Sequence, residues 1–196
     1  MSGYLVQETE KMQDKKRRLA SLLVEKSYRE GDFLLASGRR SDYYFDCRVT
    51  ALSSEGSFLI GSLFNDLLAD MAISGVGGMT LGADPLVSAT TVISWQRGRP
   101  LSGILVRKQA KSHGTAQYLE GIGNFATGDN VAVLEDVITT GASVLTACQR
   151  IQDSGLGIAA VCAILDREEG GRELLAEAGY NLLALYTRRE LLELAG

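Results

Sequence analysis

The chain has 196 residues, 45% of them hydrophobic and 22% charged, which excludes a disordered or collagen-like polymer. Its formal net charge of −4 gives no global basic field for nucleic acid or an anionic membrane, so a bound polyanion must be held by local cations and backbone amides. Cys47, Cys148 and Cys162 are odd in number, widely spaced and form no CxxC pair, which argues against a disulfide framework or structural zinc and for a reducing cytoplasm.

The length suits one domain spanning 1–196, able to bury roughly 70% of the surface its unfolded chain would expose. Residues from about Thr9 to Tyr28 read as a helix with Met12, Leu19, Leu22 and Leu23 on one side. Lys15-Lys16-Arg17-Arg18 then reads as its solvated face, since acidic neighbours dilute a nucleic-acid arm. Phe33 to Val49 alternates around Ser-Gly-Arg-Arg-Ser-Asp, a turn signal between two short strands. Ser53 or Ser54 caps a helix running towards Met71. Phe58 to Met71 is apolar but is broken by Gly61, Asn65, Asp66 and Asp70, so it does not span a bilayer.

Beyond this point apolar runs alternate with helical segments. The runs are Gly75–Leu81, Leu101–Val106, Val131–Leu134, Ile158–Leu165 and Leu182–Tyr186; helices follow from Pro85, from Ala142 and around Glu173–Ala178. Short continuous apolar strands between helices predict an α/β fold with a mostly parallel central sheet covered on both faces. The first helix and hairpin, about 1–52, read as an appendage on a core of about 53–196. Ligands of such sheets sit beyond the carboxyl ends of the strands.

Three strand ends carry chemistry. After Val131-Ala132-Val133-Leu134 come Glu135-Asp136-Val137-Ile138-Thr139-Thr140-Gly141-Ala142-Ser143. A Thr-Thr-Gly turn opening a helix offers successive amides and hydroxyls to a phosphate. Glu135 and Asp136 would repel that phosphate, so they face another part of the ligand, accepting hydrogen bonds from sugar hydroxyls or helping to hold a metal. Arg107-Lys108-Gln109-Ala110-Lys111-Ser112-His113-Gly114 follows Val106 and leads into a polar stretch, Thr115–Gly123; it reads as a mobile cationic loop suited to a diphosphate. Asp166-Arg167-Glu168-Glu169 follows the strand that ends at Leu165, and an Arg there either grips a planar carboxylate or pairs with a neighbouring Glu on the surface. Gly121-Ile122-Gly123-Asn124-Phe125-Ala126 matches G-x-G-x-x-A but lacks the strand-turn-helix context of a dinucleotide site.

The segment 131–143 resembles the phosphoribosyl-pyrophosphate (PRPP) signature of the type I phosphoribosyltransferases, and Arg-Lys-x-x-Lys-x-His-Gly followed by Glu120-Gly121 resembles the catalytic loop of the orotate phosphoribosyltransferases. Ser37-Gly38-Arg39-Arg40-Ser41-Asp42-Tyr43-Tyr44, Leu81-Gly82-Ala83-Asp84-Pro85 and Asp166-Arg167 are similar to the hood, pyrophosphate-loop and base-recognition segments of that family. The resemblance implies the type I phosphoribosyltransferase fold with a small N-terminal hood, and transfer of ribose 5-phosphate from PRPP to orotate, yielding orotidine 5′-monophosphate and diphosphate. It further implies that PRPP is bound by Arg107, Lys108, Lys111, His113 and the run Glu135, Asp136, Val137, Ile138, Thr139, Thr140, Gly141, Ala142 and Ser143. Lys108, Lys111 and His113 would be catalytic, orotate would meet Thr139 and Arg167, and Mg²⁺ would arrive mainly through the substrate, with no protein metal ligand assigned. The active form would be a homodimer sharing the cationic loop, with no nucleic-acid or membrane partner. Two positions depart from the pattern: Ala36 stands where some members carry Lys, and Gly82-Ala83-Asp84 lacks the Lys found there in others. The same residues also fit a phosphoribosyltransferase for another base or a non-catalytic PRPP sensor.

Overall fold

The computed structural model describes residues 2–34, 40–110 and 118–195, the side chains of 2–10 excepted. A long helix, α1 (Ser2–Ser27), leads into a hairpin of β1 (Tyr28–Leu34) and β2 (Arg40–Phe45). Two helices follow, α2 (Cys47–Ala51) and α3 (Ser54–Leu67), then β3 (Gly75–Met79), α4 (Asp84–Gln96), β4 (Ser102–Val106) and a short β5 (Leu119–Glu120). The chain closes with β6 (Asn130–Ile138), α5 (Ala142–Asp153), β7 (Gly157–Asp166), α6 (Gly171–Glu177), β8 (Leu182–Thr187) and α7 (Arg188–Ala195).

The central sheet has the order β5-β4-β3-β6-β7-β8 and is parallel except for β5, which pairs antiparallel with β4. Its strands alternate between two apolar layers, as the pleat requires. In β6, Val131 and Val133 pack with α5 residues Val144, Ala147 and Ile151, while Ala132 and Leu134 pack with Leu63 and Phe64 of α3 and Leu23 of α1. Helices therefore cover both faces. Tyr28, Tyr43 and Phe45 of the hairpin belong to the same apolar cluster as α1 and α3. Cys47, Cys148 and Cys162 are free thiols, each fully buried.

Several boundaries differ from the sequence expectation. The hairpin begins at Tyr28 rather than Phe33, and residues 47–49 are helical because Asp46 ends β2 and caps α2, accepting the Arg48 N–H at 3.1 Å. Ser53 is the cap of α3, accepting the Gly56 N–H at 3.2 Å. The basic cluster of α1 is more than a solvated face. Lys15 reaches Asp66 at 3.4 Å and Arg18 forms a two-pronged pair with Glu55 at 2.6 and 2.7 Å, both tying α1 to α3. Within the polar stretch expected as loop, Leu119–Glu120 are strand and Ile122–Asn124 a 3₁₀ turn.

Candidate functional site

The sheet order reverses between β3 and β6: connections run outward to β4 on one side and to β7 and β8 on the other. Such a switch point leaves a crevice at the strand ends. Here the pairing of β3 with β6 stops at Gly77↔Val133, whereas β6 stays paired with β7 as far as Ile138↔Asp166. The last five residues of β6 thus overhang an open notch. Gly78 permits the approach of the two strands just below it, since a Cβ there would fall 2.3 Å from the Leu134 carbonyl oxygen.

Strand β6 extends four residues past the apolar run, so the acidic pair lies within it and the two side chains face opposite ways. Glu135 continues the alternation towards α5, and the Ser143 hydroxyl donates to its Oε2 at 3.4 Å. Asp136 turns to the β3–α4 loop: its Oδ1 accepts the Val137 N–H at 2.8 Å, and a Cβ on Gly82 would meet that oxygen at 3.0 Å. Burial, reinforced by the charge of Asp136, pushes the Glu135 carboxyl up to about 8.

After Ile138, whose side chain is buried, the chain turns through Thr139 and Thr140 to Gly141, which adopts φ +81° and opens α5. Only glycine takes that conformation without strain, and the turn packs against Gly171, whose oxygen would lie 3.2 Å from a Cβ on residue 141. The first amides of α5 have no intrahelical partners behind this turn, and Ser143 lines the crevice.

A cavity of about 460 Å³ occupies the notch. Of the residues singled out in the sequence it gathers Lys108, Glu135, Asp136, Val137, Thr139, Ser143 and Arg167 on its walls. Ile138, Thr140, Gly141 and Ala142 are not on its walls; Ile138 ends β6 and the other three make the turn into α5. Arg107 is also absent from the wall, because its guanidinium turns to Glu120 of β5 at 3.1 Å. Lys111 and His113, and the hood positions Ala36 to Arg39, lie outside the described residues.

Arg167 stands where the hairpin leans on the sheet. Its side chain is only 8% exposed, its Nε is 2.8 Å from Glu169 Oε1, one Nη donates to Ser41 Oγ at 3.3 Å, and Cζ stacks 4.4 Å from the Tyr43 ring centre. It therefore does pair with a neighbouring Glu, but inside the fold rather than on its surface. Asp166 builds the turn that presents it, accepting the Glu168 N–H at 2.9 Å and pairing with Arg172 at 2.9 Å.

Tyr44, read from the sequence as part of the hood, lines the cavity, but sequence reasoning missed the adjoining wall of Phe45, Asp46 and Arg48. The Asp46–Arg48 pair, at 2.8 and 2.9 Å, sits at a strand-to-helix switch that alternation alone did not reveal. Thr80 and Leu81, joined by a cis peptide bond, line the β3 side. Among the described residues no cluster of three or more His, Cys, Asp or Glu could hold a metal ion.

No protein-family model matches the chain. It is 42% identical over 178 residues to an orotate phosphoribosyltransferase of Sorangium cellulosum (strain So ce56), covering 90% of this chain and 93% of the relative. Among solved structures, orotate phosphoribosyltransferase of Mycobacterium tuberculosis H37Rv in complex with Fe(III) dicitrate matches with TM-score 0.80 and 39% identity, over 90% of this chain and 98% of that one. The same enzyme in complex with 5-phospho-alpha-D-ribosyl 1-diphosphate matches with TM-score 0.74 and 35% identity over the same shares. A crevice at the β3–β6 switch point, walled by the acidic pair, Thr139 and Ser143, thus occurs in a chain that belongs to the orotate phosphoribosyltransferases.

Proposed function

We propose that the chain transfers ribose 5-phosphate from PRPP to orotate, giving orotidine 5′-monophosphate and diphosphate. The observation that carries this reading is the single cavity in which Glu135, Asp136, Thr139, Ser143, Lys108 and Arg167 meet. The 5′-phosphate takes the amides and hydroxyls from Thr139 to Ser143, and the ribose hydroxyls donate to Glu135 and Asp136. Arg167, pre-aligned by Glu169, Ser41 and Tyr43, meets the orotate carboxylate beside Thr139.

In the reaction the anomeric C–O bond breaks and its electron pair leaves with the diphosphate, while a ring nitrogen of orotate, its proton released to solvent or to the departing diphosphate, supplies the pair for the new C–N bond. Positive charge grows on the ribose, beside the acidic pair, and negative charge on the leaving group. Lys108 takes up part of that negative charge, aided by Lys111 and His113 from the sequence reading; Arg107 contributes only after leaving Glu120. The oxygen-only acidic pair suits Mg²⁺, with Asp136 and Glu135 the groups able to touch it, but two carboxylates form an incomplete shell. Held there with the diphosphate and water, such an ion would supply charge neutralisation.

A homodimer is the assembly proposed. Six exposed apolar side chains, Val49, Leu52, Phe58, Leu81, Val92 and Trp95, lie on α2, the turn after it, α3, α4 and the loop before α4, and Leu81 also lines the cavity. A second copy covering Leu81 would reach the edge of the site. The cytoplasm is the proposed location, supported by three unpaired thiols. No helix among the described residues is long and apolar enough to cross a membrane.

The deciding experiment supplies orotate, PRPP and Mg²⁺ and follows loss of orotate absorbance. Turnover with uracil or a purine but not with orotate overturns the reading. Sedimentation velocity tests the dimer, and a monomer at micromolar concentration removes it.

A further inference from the structure

Arg150 lies on the third turn of α5, outside the reaction cavity, yet its contacts all bear on the site. One Nη donates to the carbonyl of Arg107, the other reaches the carbonyl of Lys108 at 3.4 Å, and Cζ sits 4.0 Å from the centre of the Tyr118 ring. Arg107 and Lys108 are the first residues beyond β4, and Tyr118 is the residue before β5, which returns antiparallel to β4. The two arms meet at this neck, where the Arg107 N–H donates to the Tyr118 carbonyl at 2.8 Å. One planar guanidinium therefore holds both arms, using its forked donors on one and its flat face on the other. Lysine, a point charge without a face, reproduces neither contact geometry.

The helix that carries Arg150 begins at the phosphate cradle. Arg150 stands seven positions beyond Ser143, a rise of roughly 10 Å along one rigid element. We infer that Arg150 is a positioning residue for the reaction: through the Arg107 and Lys108 carbonyls it fixes the Lys108 ammonium at a set distance from the sugar-phosphate cradle. α5 thereby acts as a ruler between the two charged ends of PRPP. The inference rests on the reading that Lys108 stabilises the departing diphosphate.

The test is a double-mutant cycle of Arg150→Met and Lys108→Ala in the full chain, with kcat and both KM values measured. Arg150→Met is expected to lower kcat about tenfold, the loss of hydrogen bonds to a charged group, while the KM for orotate changes less than about twofold. In the Lys108→Ala background the same substitution is expected to add little, because the group it places is gone. Arg150→Lys should recover only a minor part of the rate. If Arg150→Met does not fold, Tyr118→Leu, which removes only the stacking platform, should show the same non-additivity with a smaller loss. Additive losses, an unchanged kcat, or equal rises in both KM values would overturn the inference. A Lys108→Ala enzyme of normal kcat would overturn the underlying reading, and this inference with it.

Discussion

Arg167 and Glu169, two residues apart on the turn after β7, face each other with 2.8 Å between Nε and Oε1. The turn between them passes through Glu168 at φ +57°, a conformation unusual outside glycine, and Asp166 steadies it by accepting the Glu168 N–H. The guanidinium is thus held on one edge and on its face before any substrate arrives.

A guanidinium aligned in this way favours a carboxylate over a neutral base. Arg167→Ala is expected to raise the KM for orotate about tenfold to a hundredfold while that for PRPP changes little. Arg167→Lys should recover little, since an ammonium lacks the planar fork. Initial-rate kinetics with each substrate varied in turn decides the matter, and equal damage to both constants removes Arg167 from base recognition.

Glu135 makes stability depend on pH. Its carboxyl ionises near 4.5 in the unfolded chain but is pushed up to about 8 in the native protein, so between those values the native state holds a proton that the unfolded chain has lost. Its contribution is full below about pH 4.5 and is lost as pH rises to about 8. Thermal unfolding from pH 5 to 9 should therefore fall less steeply for Glu135→Gln than for the parent protein. PRPP binding at pH 7 should also release a proton, visible by calorimetry in buffers of different ionisation enthalpy, because ribose hydroxyls donate best to the ionised carboxylate.

The Asp166–Arg172 pair is asymmetric: the Asp166 carboxylate is fully buried while the Arg172 side chain is 47% exposed. Arg172→Ala strands a buried charge and is expected to cost about 3 kcal/mol or more. Asp166→Asn lets the arginine turn to water and should cost only about 1–2 kcal/mol. Denaturant titration orders the two, and the reverse order would mean that Asp166 is stabilised chiefly by other partners.

Gly141→Ala forces a side chain into the left-handed region and towards Gly171. It should cost about 1–2 kcal/mol of stability and raise the KM for PRPP. Gly141→Asn, which tolerates that conformation better, should lose less of both.

Most of the sheet was legible because buried parallel strands declare themselves as unbroken apolar runs, and Ala142 marks a helix start while Pro85 lies one residue inside another. β6 was read four residues short, since its end carries Glu135 and Asp136 at positions where a strand usually turns apolar. Function displaced pattern there. The hairpin was displaced for a different reason: Tyr28 to Leu34 is mostly exposed and polar, and is strand only because β2 pairs with it. Arg48 and Arg150 were not legible as site residues, because each matters through a partner distant in sequence or hidden by a change of secondary structure.

The three thiols buried in the fold each occupy a different structural neighbourhood: Cys47 under the hood, Cys148 on α5 and Cys162 in β7. Burial holds the last two at about 12 and the first well above its ordinary value, so none offers a thiolate to an alkylating reagent in the native state. Each becomes reactive only when its own surroundings open. The molecule therefore carries three built-in reporters, whose relative labelling rates would map which part loosens first and how far a bound substrate tightens it.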